Sequence, residues 1–165
     1  MTTRQCSRLP LVGAALAIAF AFFGSAALAA MTDKQAVLAA NTAFYAALNK
    51  MFIGESAPIE AVWSHGDDVL YMGPGGETHR GWSDIVQDWQ RQAAMKLGGH
   101  VENTGVESIV GRDLAVVTNT EVGENTNANG VVAQVKIRAT NVFRKEAGHW
   151  KMVVHHTDLL PYLAK

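Results

Sequence analysis

His156 and Asp158 stand two residues apart near the C-terminus. On an extended strand that spacing puts an imidazole and a carboxyl on one face, about 7 Å apart. Alternation through Trp150, Met152 and Val154 carries His156 onto the apolar face and turns His155 to the other. An imidazole in an apolar pocket is a general base for neutral pH, because its ordinary pKa lies close to that value. The competing reading is a histidine bonded to a buried polar partner and shaping the core. Asp158 orients a substrate lying between the two groups, or it sits solvated at the rim, since Leu159-Leu160-Pro161 marks the end of the run.

Further candidates share faces with apolar residues. Asn141 interrupts the row Val135, Ile137, Ala139 and Phe143, either as a ligand contact or as the bonded partner of another buried group such as His156. Tyr71 follows Val69 on one face; its hydroxyl either donates to a developing oxyanion or lies wet at the surface, and the wet tip is the expectation. Trp63 and Trp89 fall on helical apolar faces and are expected to be core, with walling a pocket for a flat ligand as the alternative role of either. Asn119 and Glu121 continue the Ala115/Val117 face. Glu121 is expected to be solvated, although in an apolar site its pKa would rise and make it an acid.

No metal site is expected. His155 and His156 are adjacent and point apart on a strand, and His65, His79, His100 and His149 lack ligand spacing. The turn Gly73-Pro74-Gly75-Gly76 has no lysine and opens no helix, so it is not a phosphate loop. There is no Gly-x-Ser-x-Gly elbow for a hydrolase. No cofactor is expected.

The elements that position these residues divide by period. Thr32-Asp33-Lys34-Gln35 forms a capping box. It opens a helix on Val37, Ala40, Phe44, Ala47, Leu48 and Met51, which Gly54 ends. Pro58 opens a short second helix through Trp63. Asp68 to Met72 reads as a short strand. Ser83 caps a third helix on Ile85, Val86, Trp89, Ala93 and Leu97. From His100 the period changes to two: His100–Val110, Leu114–Glu124, Val131–Lys145 and His149–Asp158 are long strands joined by hairpin-length connections. Helices in front and antiparallel strands behind predict an α+β domain over 30–165.

Residues 1–29 stand apart. Arg4 and Arg8 precede an uncharged apolar run from Leu11 to Phe23, and Ala27-Leu28-Ala29 fits a signal-peptide cleavage pattern, so a periplasmic or secreted protein is expected. A retained N-terminal anchor is the alternative. The single cysteine, Cys6, lies in this segment, so the domain has no disulfide and no cysteine nucleophile. The chain holds 14 basic and 15 acidic residues. Removing Arg4 and Arg8 makes the domain more acidic, which disfavours nucleic acid and anionic membrane as partners.

Taken in order, these residues resemble a family. Trp63, Asp67-Asp68-Val69, Gly73-Pro74-Gly75-Gly76 and Gly81 look like the front half of a SnoaL-like domain. Asp113-x-Ala115-Val116-Val117-Thr118, Arg138-x-Thr140, Gly148-x-Trp150 and His156-x-Asp158 look like its back half. The resemblance implies the NTF2-like fold: a cone of strongly curved antiparallel sheet, closed by helices around a pocket. It also implies activities as different as polyketide cyclisation, ketosteroid isomerisation, dehydration and kinase association, among which fold does not choose. In the association domain the same strand pair carries a pocket arginine and a terminal His-x-Ser. Here Asn141 and Asp158 stand at those places, which speaks against anion binding. A homodimer through the outer sheet face is a further implication.

With one ionisable group placed inward, the sequence favours binding of a small apolar or aromatic molecule. The alternative is a cofactor-free isomerase, dehydratase or cyclase with His156 as base.

Overall fold

The computed structural model describes residues 1, 31–126 and 129–159. The expected signal segment lies outside the described residues apart from Met1, so its cleavage is not addressed by the fold. The chain divides after Ala30, and the domain is the unit that begins at Met31.

Three helices lead: α1 (Asp33–Met51), α2 (Ala57–Val62) and, after a short hairpin, α3 (Trp82–Met95). The hairpin is β1 (Leu70–Met72) and β2 (Thr78–Arg80), and the long strands are β3 (His100–Val110), β4 (Leu114–Thr126), β5 (Val132–Glu146) and β6 (His149–Leu159). They form one six-stranded sheet in the order β2-β1-β6-β5-β4-β3. All pairs are antiparallel except β1 with β6, which is parallel. The α+β expectation holds, and the sheet is mixed because the front hairpin docks beside the last strand.

The local chemistry explains each start and stop. α1 opens on the capping box, with Thr32 accepting from the Gln35 N–H and Gln35 returning to the Thr32 N–H. Asp33 at its first turn also accepts from Lys145 Nζ and Trp150 Nε1, tying the helix to the β5–β6 hairpin. At its other half the Asn49 amide bonds both the N–H and the C=O of Val101, satisfying the edge strand β3. α3 starts at Trp82, one residue before the expected Ser83 cap, with Gly81 as its N-cap and no side-chain capping bond. Its end leads into Gly99, where a Cβ would sit 2.1 Å from the Glu124 carbonyl oxygen; only a glycine lets this loop close against β4.

Two irregularities bend and re-aim the sheet. One extra residue on β3, in the Gly105-Val106 stretch, faces β4 between the pairs Thr104–Thr120 and Glu107–Thr118. The second sits on β6. Val154 pairs with Val142 but Met152 pairs with Phe143, so Val153 is the extra residue of a β-bulge. An inserted residue reverses which face every later side chain occupies. Trp150 and Met152 point inward as alternation predicts, but beyond the bulge His155 and Thr157 are buried while His156 is half-exposed and Asp158 exposed. The expected arrangement of the two histidines is therefore inverted: His155 faces the interior and His156 the outer surface.

Candidate functional site

The interior between α1, α3 and the concave face of the sheet is aromatic at one end and polar at its centre. From α1, Asn41, Phe44, Tyr45 and Leu48 recur at helical spacing and are all buried. Phe44 packs on His155 at 4.7 Å between ring centroids. The Tyr71 ring of β1 lies nearly parallel to the same imidazole at 5.8 Å, and Trp89 of α3 approaches it at 6.4 Å. Burial on all sides penalises the imidazolium, and charge repulsion from the adjacent His156 adds a smaller share, so the His155 pKa falls to about 3. His155 is a neutral ring.

Its tautomer follows from the amide beside it. Asn141 uses Nδ2 to donate to Asn41 Oδ1 at 2.7 Å and towards the Tyr45 oxygen at 3.4 Å, which turns Oδ1 to His155 Nδ1 at 2.6 Å. An oxygen there requires a donor, so Nδ1 carries the hydrogen and Nε2 keeps its lone pair. Tyr45 accepts from Asn119 Nδ2 at 2.7 Å and donates to Glu121 Oε1 at 3.0 Å. Glu121 Oε1 lies 3.8 Å from His155 Nε2. Burial pushes the Glu121 carboxyl up to about 7, opposed in part by the Tyr45 hydrogen bond. Burial, with Glu121 nearby, raises the Tyr45 phenol, so it stays protonated.

The two shifts act on stability with opposite signs. Between about 4.5 and about 7 the folded state keeps a proton on Glu121 that the unfolded chain has released, so this contribution falls as pH rises. Between about 6.5 and about 3 the unfolded chain protonates a histidine that the folded state holds neutral, so His155 costs stability as pH falls. Where the windows overlap, the two terms largely cancel.

Glu121 and His155 line a cavity of about 120 Å³ with Leu48, Phe52, Tyr71, Trp89, Val101 and Ile137 around them, and with Gln92, Asn125 and Thr157 among its polar lining. A larger depression of about 340 Å³ lies between the alanine face of α1, α2 and the β5–β6 turn. Five alanines are among its walls and it holds no buried ionisable group among the described residues, so the smaller cavity is the candidate site.

Tyr71 is buried rather than wet at its tip. Its hydroxyl donates towards Glu77 Oε1 at 3.4 Å and receives Gln92 Nε2 at 3.3 Å. Gly73 makes the first contact sterically possible, since a Cβ there would fall 1.7 Å from Glu77 Oε1.

Of the residues singled out by sequence, Glu121, Tyr71 and Trp89 line the cavity. Glu121 is only 4% exposed, against the solvated expectation. Asn119 and Asn141 stand behind the lining and hold Tyr45 and His155. Trp63 is buried against Trp89 and is not part of the lining. His156 and Asp158 face outward, where they lie 3.5 Å apart, and Asp158 also faces Arg138 at 3.7 Å. Three interior residues were missed: His155, Asn41 and Tyr45. The last two carried a signal, because an amide and a phenol at i and i+4 on an apolar helix face are out of pattern. Among the described residues no group of His, Cys, Asp and Glu is arranged to hold a metal ion.

Comparison with known proteins agrees with this architecture. A family model described as a SnoaL-like domain matches residues 37–160. A proposed dehydratase of the NTF2-like family from Streptomyces avermitilis is 28% identical with a TM-score of 0.67, over 76% of this chain and 94% of that one. A proposed calcium/calmodulin-dependent protein kinase type II association domain from Thiobacillus denitrificans is also 28% identical, with a TM-score of 0.63 over 74% and 94% of the two chains. F-box protein SKIP8 of Arabidopsis thaliana is 25% identical over 126 residues, 76% of this chain and 50% of that protein. The chain spans about half the length of that relative.

Proposed function

The chain belongs to the SnoaL-like domain family and has the NTF2-like fold, and on that premise we propose that its cone binds a small apolar or aromatic molecule. The observation that carries this reading is the cavity itself: aliphatic and aromatic walls converge on one buried polar pair, Glu121 and His155. Apolar walls supply affinity by burial, and a few fixed polar groups set orientation.

A second reading, cofactor-free acid–base catalysis, has one observation in its favour. A carboxyl with a pKa near 7 is matched to proton transfer at neutral pH. Glu121, not His156, is then the base, and His155 is too weakly basic to take that part. The similarity to a proposed dehydratase fits this reading. Binding is preferred because the hydroxyls of Tyr45, Tyr71 and Thr157 already donate to Glu121, Glu77 and the Met72 carbonyl. None is free to stabilise an oxyanion.

The test is occupancy of the cavity. Nitrobenzene, a single ring, is expected to quench the fluorescence of the buried tryptophans saturably, and Val135→Trp, which fills the lining, is expected to abolish that quenching while circular dichroism stays native. Equal, non-saturable quenching in both proteins counts against the proposal.

Two further expectations remain proposals. The outer sheet face is proposed to pair two copies of the chain. The register sets Ile109, Val116, Val142 and Val154 side by side across four strands of that face, and Ile109 is 79% exposed. Sedimentation as a monomer at micromolar concentration contradicts it. Export with loss of residues 1–29 is proposed from the leader's charge and apolar pattern, and N-terminal sequencing of the protein made in cells checks it.

A further inference from the structure

The cavity has an unusual balance of donors and acceptors. The hydroxyls around it and the His155 Nδ1–H can each be followed to a protein acceptor. Tyr71 donates to Glu77, Thr157 to the Met72 carbonyl at 3.1 Å, Tyr45 to Glu121, and His155 Nδ1 to Asn141. Gln92 Nε2 is committed to Asp88 at 2.7 Å and to the Tyr71 oxygen. Trp89 Nε1 is buried even from the cavity and has no partner. What the wall offers a ligand is therefore mostly lone pairs: His155 Nε2, the Glu121 carboxyl, the hydroxyl oxygens of Tyr71 and Thr157, and the Gln92 carbonyl. Among the described lining residues, the Asn125 amide is the side-chain donor that remains.

The charge balance points the same way. Among the described residues no lysine or arginine lines the cavity, and its imidazole, His155, is neutral. Glu121 meets Tyr45 from α1, Tyr71 from β1 and His155 from β6, and none of the lining residues from α3, β3 or β5 is charged. An anion entering here meets a carboxyl and no cation. A cation meets a carboxyl that has no cationic partner and is itself almost wholly buried, where charge-assisted bonds are strong. The separation of the two central acceptors adds geometry. A nitrogen placed about 2.9 Å from each fits between atoms 3.8 Å apart and spends two of its N–H groups on them.

We infer that the molecule this pocket takes is a protonated primary amine on a small apolar or aromatic body, with its ammonium between Glu121 and His155 Nε2. The inference rests on the reading of the cavity as a ligand pocket and names the class of ligand. Size agrees, since cavities of this order admit a single six-membered ring.

Isothermal titration of the full-length protein with benzylamine, benzyl alcohol and benzoate separates the possibilities, because the three share a ring and differ in charge. Benzylamine is expected to bind about tenfold or more tightly than benzyl alcohol, and benzoate to give no saturable heat. Raising the pH from about 6 to about 8 should strengthen benzylamine and leave the alcohol level, as Glu121 ionises. Glu121→Gln should remove the amine's advantage over the alcohol. If benzoate binds as tightly as the amine, or amine and alcohol bind alike, the ligand class is wrong while the pocket reading stands. If none of the three saturates a protein whose melting curve is native, the pocket reading falls as well.

Discussion

Asn141→Leu is expected to lower the free energy of unfolding by about 2–5 kcal/mol, because it strands polar groups that have no access to water. Asn141 is fully buried and its amide serves three neighbours: Asn41 and Tyr45 through Nδ2, and His155 through Oδ1. Leucine keeps the same branching of heavy atoms with bulkier methyl ends, and its added apolar contact offsets part of the loss. It leaves His155 Nδ1–H and Asn41 Oδ1 without their partners, at about 1–3 kcal/mol each. Urea denaturation measures the sum. Lys136→Gln, exposed on the same strand, is the control and should stay within about 0.5 kcal/mol of the parent. A loss below about 1 kcal/mol for Asn141→Leu means that the buried amide network does not hold the site.

Phe44→Ala should cost about 3–5 kcal/mol, the range for deleting a fully buried aromatic ring. Phe44 has no exposed surface and is in ring contact with Tyr45, Trp89 and His155, at 5.2, 6.4 and 4.7 Å. Its removal opens a void on the inner side of the imidazole, so the consequence reaches the site as well as the core. The near-ultraviolet dichroism of Trp89 should weaken along with the denaturation midpoint. A variant as stable as the parent would mean that the helix and sheet do not pack through this ring.

The long strands were legible because 11 to 15 residues of alternating pattern leave little freedom in pairing. The α1 capping box was legible for the same kind of reason, a local rule with local partners. β2 was not, since three residues give no periodicity, and its existence depends on β1 being held beside β6. The site was misread by one residue. Val153 and Val154 are alike in β-propensity and apolarity, so nothing in composition marks which is the bulge, yet the bulge decides whether His155 or His156 enters the cone. Glu121 was misread because burial is a tertiary property: the Tyr45 hydroxyl that makes it tolerable comes from a helix 76 residues earlier.

The account stands on Glu121 being a buried carboxyl of raised pKa facing a neutral His155. Carbon-13 NMR of the glutamate carboxyls and the histidine ring carbons, with Glu121 assigned by its loss in Glu121→Gln and His155 by its loss in His155→Gln, reads this without any ligand. The account predicts a midpoint of about 7 for Glu121 and no protonation of His155 near its ordinary 6.5. A Glu121 midpoint near the ordinary 4.5, together with a His155 that titrates near 6.5, would contradict it.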